Sequence, residues 1–458
     1  MTTPICDFVR DYVQSDPLRL HMPGHKGKAF LGMEQLDITE IQGADNMYEA
    51  AGIIRESEAN ASSLFGCPTF YSTEGSSQCI RAMLYLAMLH AKQAGCTPLI
   101  AAGRNVHKTF LSAAALLDLD VMWLYPNSTD SYLTCKIDPQ ALNDLLQTSS
   151  RIPTAVYLTS PDYLGNQADI SGIAEVCHRH GILLLVDNAH GAYLRFLEPS
   201  MHPMDLGADL CCDSAHKTLP VLTGGAYLHI TAAANSALGV HVKNALALFG
   251  STSPSYLILQ SLDAANAYLE GYREKLHSLL PMIRDLKDAL IDAGYSLWVQ
   301  EPLKITLSPK SYGYTGTHLS LILQNKNILC EFSDSDFLVL MMTPEITEAD
   351  FSNLKSALLE IPRKTPVTDP SPVPSRGEFV MSTREAMLSP CETVAVEDSL
   401  GRVLAAPSIG CPPAVPILVC GERITSQAIA CFQYYDIPTV TVVKEIIASP
   451  AQMPVSFP

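Results

Sequence analysis

The sequence predicts an α/β fold in which helices flank a mostly parallel central sheet, joined to a smaller α+β domain and a C-terminal α+β domain. Between about residues 60 and 230, short apolar segments alternate with amphipathic helical patterns, which is typical of parallel strands buried on both faces. The 458 residues are too many for one ordinary core, so two or three domains are expected. Hydrophobic residues make up 47% of the chain, which is enough to fill cores of that size.

The alternating segments follow one another in a regular order. GSSQCIRAMLYLAMLHAKQAG (75–95) predicts a helix, because it begins in small polar residues and ends at a glycine. DISGIAEVCHRHG (169–181) predicts a second helix, with Asp169 as its N-cap. The short apolar runs predict strands in PTAVYLT (153–159), ILLLVDNAH (182–190) and ADLCCDSAH (208–216).

Composition and turn formers divide the chain further. A long helix over about residues 255–294 is expected to lead into the small domain, and the proline-rich stretch PRKTPVTDPSPVPSRGE indicates a linker. The predicted segments are an N-terminal arm (1–40), a large domain (41–265), a small α+β domain (266–362), a linker (363–375) and a C-terminal domain (376–458).

Net charge and cysteine usage argue against several classes of function. Thirty Lys and Arg against 47 Asp and Glu give a net charge of −17, which argues against a nucleic-acid-binding surface. The 13 cysteines include no C-x-x-C pair, so we expect reduced thiols in a cytoplasmic protein and no metal site. The N-terminal segment MTTPICDFVRDYV lacks the features of a signal peptide. Four prolines in LAAPSIGCPPAVPILVCG argue against a membrane-spanning helix.

Residues with useful chemistry fall at the carboxyl ends of the predicted strands, where open α/β sheets bind ligands. Asp187 and Lys217 lie there, 30 residues apart on successive strands. The candidates for a phosphate site are the helix-opening Gly75, Ser76 and Ser77, with Ser214 and His216 beside the lysine. A lysine, an aspartate and a phosphate site are what pyridoxal phosphate requires, because the lysine binds its aldehyde and the aspartate keeps its ring nitrogen protonated.

Five segments resemble the Orn/Lys/Arg decarboxylases of the aspartate-aminotransferase fold, fold type I of the pyridoxal-phosphate enzymes. They are LHMPGHKG, STEGSS, GRNVHKT, LLLVDNAHGAYLRF and DSAHKTLPVLTGGAYLH. The likeness runs from about residue 17 to 265 and resumes in SLGRVLAAPSIGCPPAVPILVCGERIT. The chain resembles the compact members without an N-terminal response-regulator-like domain, so assembly through such a domain is not expected.

The resemblance implies a role for each matching residue. Lys217 would be the Schiff-base lysine, Asp187 would pair with the pyridine nitrogen, and His107 would stack on the ring. His190 would lie near the cofactor, as a candidate proton donor. The residues implied to hold the phosphate are Ser76, Ser77, Ser214 and His216, together with Thr252 in GSTSPSY, which would reach the neighbouring subunit of a homodimer or larger homo-oligomer.

Departures from the family pattern concern the substrate. The family usually has Asn at position 74, Glu at position 188 and Gly at position 414, where this chain has Glu74, Asn188 and Ala414. A cationic substrate side chain needs an acidic partner, and the resemblance of the C-terminal segment points to Glu422, with Glu74 and Asp45 as alternatives.

The resemblance therefore implies a carboxy-lyase that decarboxylates a basic amino acid in polyamine biosynthesis, with arginine preferred slightly over lysine and ornithine. One alternative is an aminotransferase or lyase that uses the same cofactor. An aminotransferase would bind the substrate carboxylate through an arginine of the small domain. The small-domain segment LSLILQNKNILCEFSDSDFLVLMM contains no arginine, which favours decarboxylation. Another alternative is a non-catalytic regulatory homologue. Retention of Lys217, Asp187, His107 and the phosphate residues argues against it.

Overall fold

A seven-stranded sheet forms the centre of the protein. The computed structural model describes residues 1–126, 131–298, 301–374, 376–407 and 413–445. The strands are β1 (Thr69–Ser72), β2 (Leu99–Gly103), β3 (Asp120–Leu124), β4 (Ala155–Thr159), β5 (Leu183–Asp187), β6 (Leu210–Asp213) and β7 (Ala226–Ile230). Their order is β1-β7-β6-β5-β4-β2-β3, and β7 alone runs antiparallel to its neighbours in this sheet of the described chain. The predicted mostly parallel sheet is confirmed.

Helices cover both faces of this sheet. They are α1 (Pro4–Gln14), α2 (Ile53–Phe65), α3 (Gly75–Gln93), α4 (Lys108–Leu117), α5 (Pro139–Thr148), α6 (Ile170–Arg179), α7 (Ala215–Thr218) and α8 (Ala232–Ala247). Successive residues of a strand point to opposite faces, so Tyr157 packs with α3, α4 and α8, while Val156 and Leu158 pack with α5 and α6. This explains why the strands are apolar throughout.

Two smaller sheets follow. The second part of the chain contains α9 (Tyr256–Leu269), α10 (Tyr272–Asp292), β8 (Leu297–Trp298), β9 (Lys304–Leu307), α11 (Gly316–Gln324), β10 (Phe332–Ser333), β11 (Leu338–Met341) and α12 (Glu348–Leu359). Its antiparallel strands are ordered β10-β11-β9-β8. The last part contains α13 (Thr383–Leu388), β12 (Cys391–Ala395), α14 (Ser426–Tyr434) and β13 (Thr439–Val443), with β12 and β13 paired antiparallel.

Two local predictions need correction. The long helix expected over 255–294 is two helices, α9 and α10, which are separated at Glu270 and Gly271. Glycine is among the least favourable residues inside a helix, which explains the break. Lys217 lies in the one-turn helix α7 directly after β6, whereas the sequence placed it at the end of the strand.

The strand order creates a crevice at the carboxyl edge of the sheet. β4 pairs with β2 on one side and β5 on the other, so the chain crosses over between β2 and β4. Segments that leave neighbouring strands in different directions open a ligand-binding crevice at such a point. Among the described residues, no helix has both the length and the apolar character needed to cross a membrane.

Candidate active site

A cavity of about 170 Å³ lies at this edge of the sheet. It is lined by Asn105, His107, Thr159, Tyr163, Asp187, Ala189, His190, Lys217, Glu331, Pro413, Ala414 and Val415. These residues end or follow β2, β4, β5 and β6, or come from the segment before β10 and from the C-terminal part of the chain. Four of the residues predicted to take part in catalysis, Lys217, Asp187, His107 and His190, therefore share one cavity.

Asp187 is the last residue of β5 and is only 2% exposed. Its carboxylate accepts hydrogen bonds from the Tyr157 hydroxyl at 3.2 Å and the Ala189 N–H at 3.2 Å. Burial raises the pKa of Asp187, and the positive charge of Lys217 acts against that shift. A buried carboxylate facing a cavity is suited to pair with a cationic group of a ligand.

Lys217 and His190 form a direct polar contact in the cavity. Nζ of Lys217 lies 3.1 Å from Nε2 of His190. Burial and the positive charge of Lys217 lower the pKa of His190 well below its ordinary value, so the imidazole is neutral. Nε2 then accepts the hydrogen bond from Nζ and the ring proton lies on Nδ1. Nδ1 is buried and has no hydrogen-bond partner among the described residues.

His107 forms another wall of the cavity, where it is the N-cap residue of α4. Its Nδ1 accepts a hydrogen bond from the Thr109 N–H at 3.2 Å. Burial and the charge of Lys217 lower the pKa of His107 to about 4. The ring is therefore a neutral, fixed aromatic surface at neutral pH.

Next to the cavity, the N-terminus of α3 forms a cradle for an anion. Ser76 and Ser77 lie in its first turn, and the Ser214 hydroxyl donates to Oγ of Ser76 at 2.8 Å. No described side chain caps this helix. Gly75 has a φ of 70°, and a Cβ built on it meets no atom within 4 Å. The first-turn amides after Gly75, the positive end of a 19-residue helix and two serine hydroxyls are a chemically suitable set for a phosphate.

His216 lies beside this cradle. Its Nδ1 donates to the Gly225 carbonyl at 3.0 Å, and burial lowers its pKa. The Gly75 N–H donates to the neighbouring Gly224 carbonyl at 2.7 Å. The turn at Gly224 and Gly225 therefore joins the start of α3 to the segment that carries Lys217.

Asn188 takes part in a buried network behind the cavity. Its Nδ2 donates to Oδ1 of Asp213 at 2.7 Å. The second oxygen of Asp213 accepts from His202 at 3.0 Å and His229 at 3.1 Å. A glutamate at position 188 would bring a second carboxylate against Asp213. The amide of Asn188 instead donates a hydrogen bond to the carboxylate of Asp213.

Other predicted residues lie away from the cavity. Thr252 and Glu74 are exposed. Glu422 is fully buried and forms an ion pair with Arg104 at 3.1 Å. The carboxylate of Asp45 caps the start of α2 by accepting backbone N–H groups, Ile54 among them.

The sequence analysis missed Glu331 and Tyr163 as cavity residues. The Tyr163 hydroxyl donates to Oε1 of Glu331 at 2.7 Å. Glu331 lies in LSLILQNKNILCEFSDSDFLVLMM, and an acidic side chain among these mainly apolar residues is the signal that could have indicated it.

A model of the family described as "Orn/Lys/Arg decarboxylase, major domain" matches residues 3–306. Over 466 residues, the chain is 30% identical to the uncharacterized protein YaaO of Bacillus subtilis, covering 94% of this chain and 93% of that protein. It is 30% identical over 464 residues to an arginine decarboxylase of Halalkalibacterium halodurans, covering 93% of this chain and 92% of that protein.

Solved structures share the fold. The lysine decarboxylase LdcF of Francisella novicida superposes with a TM-score of 0.79 at 16% identity, covering 96% of this chain and 81% of that chain. Oryza sativa TDC, solved with PLP, superposes with a TM-score of 0.56 at 15% identity, covering 69% of this chain and 74% of that chain.

Proposed function

This chain belongs to the Orn/Lys/Arg decarboxylase family of pyridoxal-phosphate-dependent enzymes, and on that premise we propose that it decarboxylates arginine in preference to lysine and ornithine. Membership makes it a decarboxylase of basic amino acids. The names of similar proteins, such as the arginine decarboxylase of Bacillus subtilis, support arginine as the first substrate to test. The observation that carries the proposal is that Lys217 and Asp187 face one cavity, with an anion cradle beside it.

The residues of this site suit pyridoxal phosphate. The amine of Lys217 would hold its aldehyde, and the buried carboxylate of Asp187 would hold its ring nitrogen. The His107 ring would cover one face of the cofactor. The phosphate would be held by Ser76, Ser77, Ser214 and the first-turn amides of α3 after Gly75, with His216 alongside. When bound, the cofactor supplies a protonated pyridine ring that withdraws the electron pair released when the substrate carboxylate leaves as carbon dioxide.

The chain's own residues would govern where charge and protons go. Pro413, Ala414 and Val415 give the cavity an apolar wall, which excludes water and favours the loss of a charged carboxylate as neutral carbon dioxide. After the bond between the α-carbon and the carboxylate breaks, a proton must be added to the α-carbon. The hydrogen-bonded pair of Lys217 and His190 is positioned to supply that proton.

The proposal includes a homodimer with Thr252 at its interface. Several large apolar side chains of the N-terminal arm support it, since Leu18, Leu20 and Leu31 are more than 80% exposed in the single chain. Surfaces of this kind commonly mark protein–protein contacts. A cytoplasmic location and a role in polyamine biosynthesis remain predictions. The free thiols of all described cysteines are compatible with that location.

Incubation of the purified enzyme with arginine, lysine and ornithine in separate reactions tests the proposal. Identification of the amine formed should give agmatine as the fastest product. Faster cadaverine or putrescine formation would reassign the substrate within the same reaction class. Formation of a keto acid without carbon dioxide would instead indicate an aminotransferase. No turnover by protein loaded with the cofactor would indicate a regulatory homologue.

A further inference from the structure

Glu331 brings a second carboxylate to the cavity from the small sheet. We propose that Glu331 is the specificity-determining residue that receives the cationic end of the substrate side chain. This inference rests on the proposed decarboxylation of a basic amino acid. Among the described residues that line the cavity, the carboxylates are those of Asp187 and Glu331.

The two carboxylates lie in different surroundings. Asp187 is buried at the end of β5, and Tyr157 and Ala189 already donate to it. Glu331 lines the cavity and is itself exposed to solvent. A basic amino acid that reacts at Lys217 carries its guanidinium or ammonium group several bonds away, on the side of the cavity that leads out. Glu331 is the acidic group available there.

Tyr163 fixes the position of the Glu331 carboxylate. Its hydroxyl donates to Oε1 at 2.7 Å. The Tyr163 ring packs edge-on against His190, with ring centroids 5.0 Å apart, and against Phe332 at 5.3 Å. A carboxylate oriented in this way, beside an aromatic ring, suits a guanidinium, which forms directed hydrogen bonds and also stacks on aromatic faces.

The backbone supports the same placement. The Glu331 N–H donates to the Val339 carbonyl at 3.0 Å, which holds the residue at the edge of the small sheet. The other acidic candidates are less well placed. Glu422 is already paired with Arg104, and a second cation would have to displace a buried partner. Glu74 does not line the cavity, since it precedes α3 on the exposed surface.

Kinetics of Glu331→Gln with arginine and with citrulline, its uncharged isostere, test the inference. The variant should raise KM for arginine about 10- to 100-fold, the range for loss of a hydrogen bond between charged groups. Its kcat should stay within about threefold of wild type, because the reacting bonds are unchanged. Activity towards citrulline should not fall, so discrimination between the two compounds should shrink. Cofactor absorbance should match wild type.

Glu348→Gln is the matched control, because Glu348 is an exposed glutamate of the same part of the chain that does not line the cavity. It should leave all parameters unchanged. If Glu331→Gln fails to bind the cofactor, Tyr163→Phe gives a second test: without the hydroxyl that orients the carboxylate, KM for arginine should still rise several-fold.

The outcomes separate this inference from the proposed function. A wild-type enzyme that turns over no basic amino acid would remove the proposed function itself. A wild-type enzyme active on arginine, with an unchanged KM in Glu331→Gln, would overturn the role of Glu331 alone. Equal losses on arginine and citrulline would also overturn it, because a carboxylate that only supports the fold would not distinguish them.

Discussion

Nζ of Lys217 and Nε2 of His190 lie 3.1 Å apart in a cavity that also contains Asp187. Because the lowered pKa of His190 keeps its ring neutral, Nε2 can accept a hydrogen bond from Nζ of Lys217. This contact joins α7, directly after β6, to the loop after β5, and it depends on both strands ending at the same edge of the sheet.

Lys217 should carry the cofactor. Borohydride reduction of the loaded enzyme, followed by peptide mapping, should place the pyridoxyl group on Lys217, since its amine faces the cavity beside Asp187. Lys217→Ala should give no labelled peptide, and Lys108→Ala should label normally. A label on another lysine of the wild-type enzyme would show that Lys217 does not carry the cofactor.

Asp187→Asn should retain some cofactor but lose most activity. An amide has no charge to keep the ring nitrogen protonated, so we expect kcat to fall by roughly 100-fold or more, as for loss of other electrostatic groups in active sites. Steady-state kinetics and cofactor absorbance measure the two effects separately. Turnover near the wild-type rate would show that Asp187 is not the partner of the ring.

His107 should make the cofactor-free protein less stable in acid. Its pKa falls from an ordinary value of 6.5 to about 4 in the folded state, so the unfolded chain binds more protons between these values. Stability must therefore fall as the pH drops from about 6.5 to 4, by up to ~1.4 kcal/mol per pH unit. Urea unfolding of wild type and His107→Gln at several pH values measures this. The difference between the two should change with pH only across that window, and a constant difference would contradict the prediction.

Ala414→Gly should stabilise the protein or leave its stability unchanged. Ala414 has a φ of 56°, in the left-handed region that costs a residue with a Cβ about 1–2 kcal/mol. The greater freedom of glycine in the unfolded chain offsets about 0.4–1 kcal/mol, so the net gain should lie between about 0 and 1.6 kcal/mol. Ala386→Gly, in helix α13, is the control and should destabilise by about 1 kcal/mol. Equal losses in both variants, measured by denaturant unfolding, would show that the backbone strain is not relieved.

The sequence could predict those parts of the fold and the site that depend on local patterns. Apolar strands followed by polar residues placed Asp187 at a strand end. The start of α3 was readable from small polar residues, and the N-cap of α6 from Asp169. The break at Gly271 was not recognised, because the apolar pattern continues through it.

Two contacts between distant parts of the chain were not predicted. Arg104 and Glu422 are separated by 318 positions, and nothing near either residue indicates the other. Glu331 reaches the cavity only because the small sheet packs beside the large one. Such pairings depend on how the parts of the chain pack together, which a single sequence does not reveal.

The wall formed by Pro413, Ala414 and Val415 has a consequence for synthesis in the cell. The Lys108 N–H donates to the Ala414 carbonyl at 2.8 Å, so a segment translated long after α4 closes against the start of that helix. The central sheet can assemble on the ribosome long before this wall is available. A nascent chain, or one cut short by a premature stop codon before residue 413, would hold most of the cofactor residues in a cavity open to water and would not yet be an active enzyme.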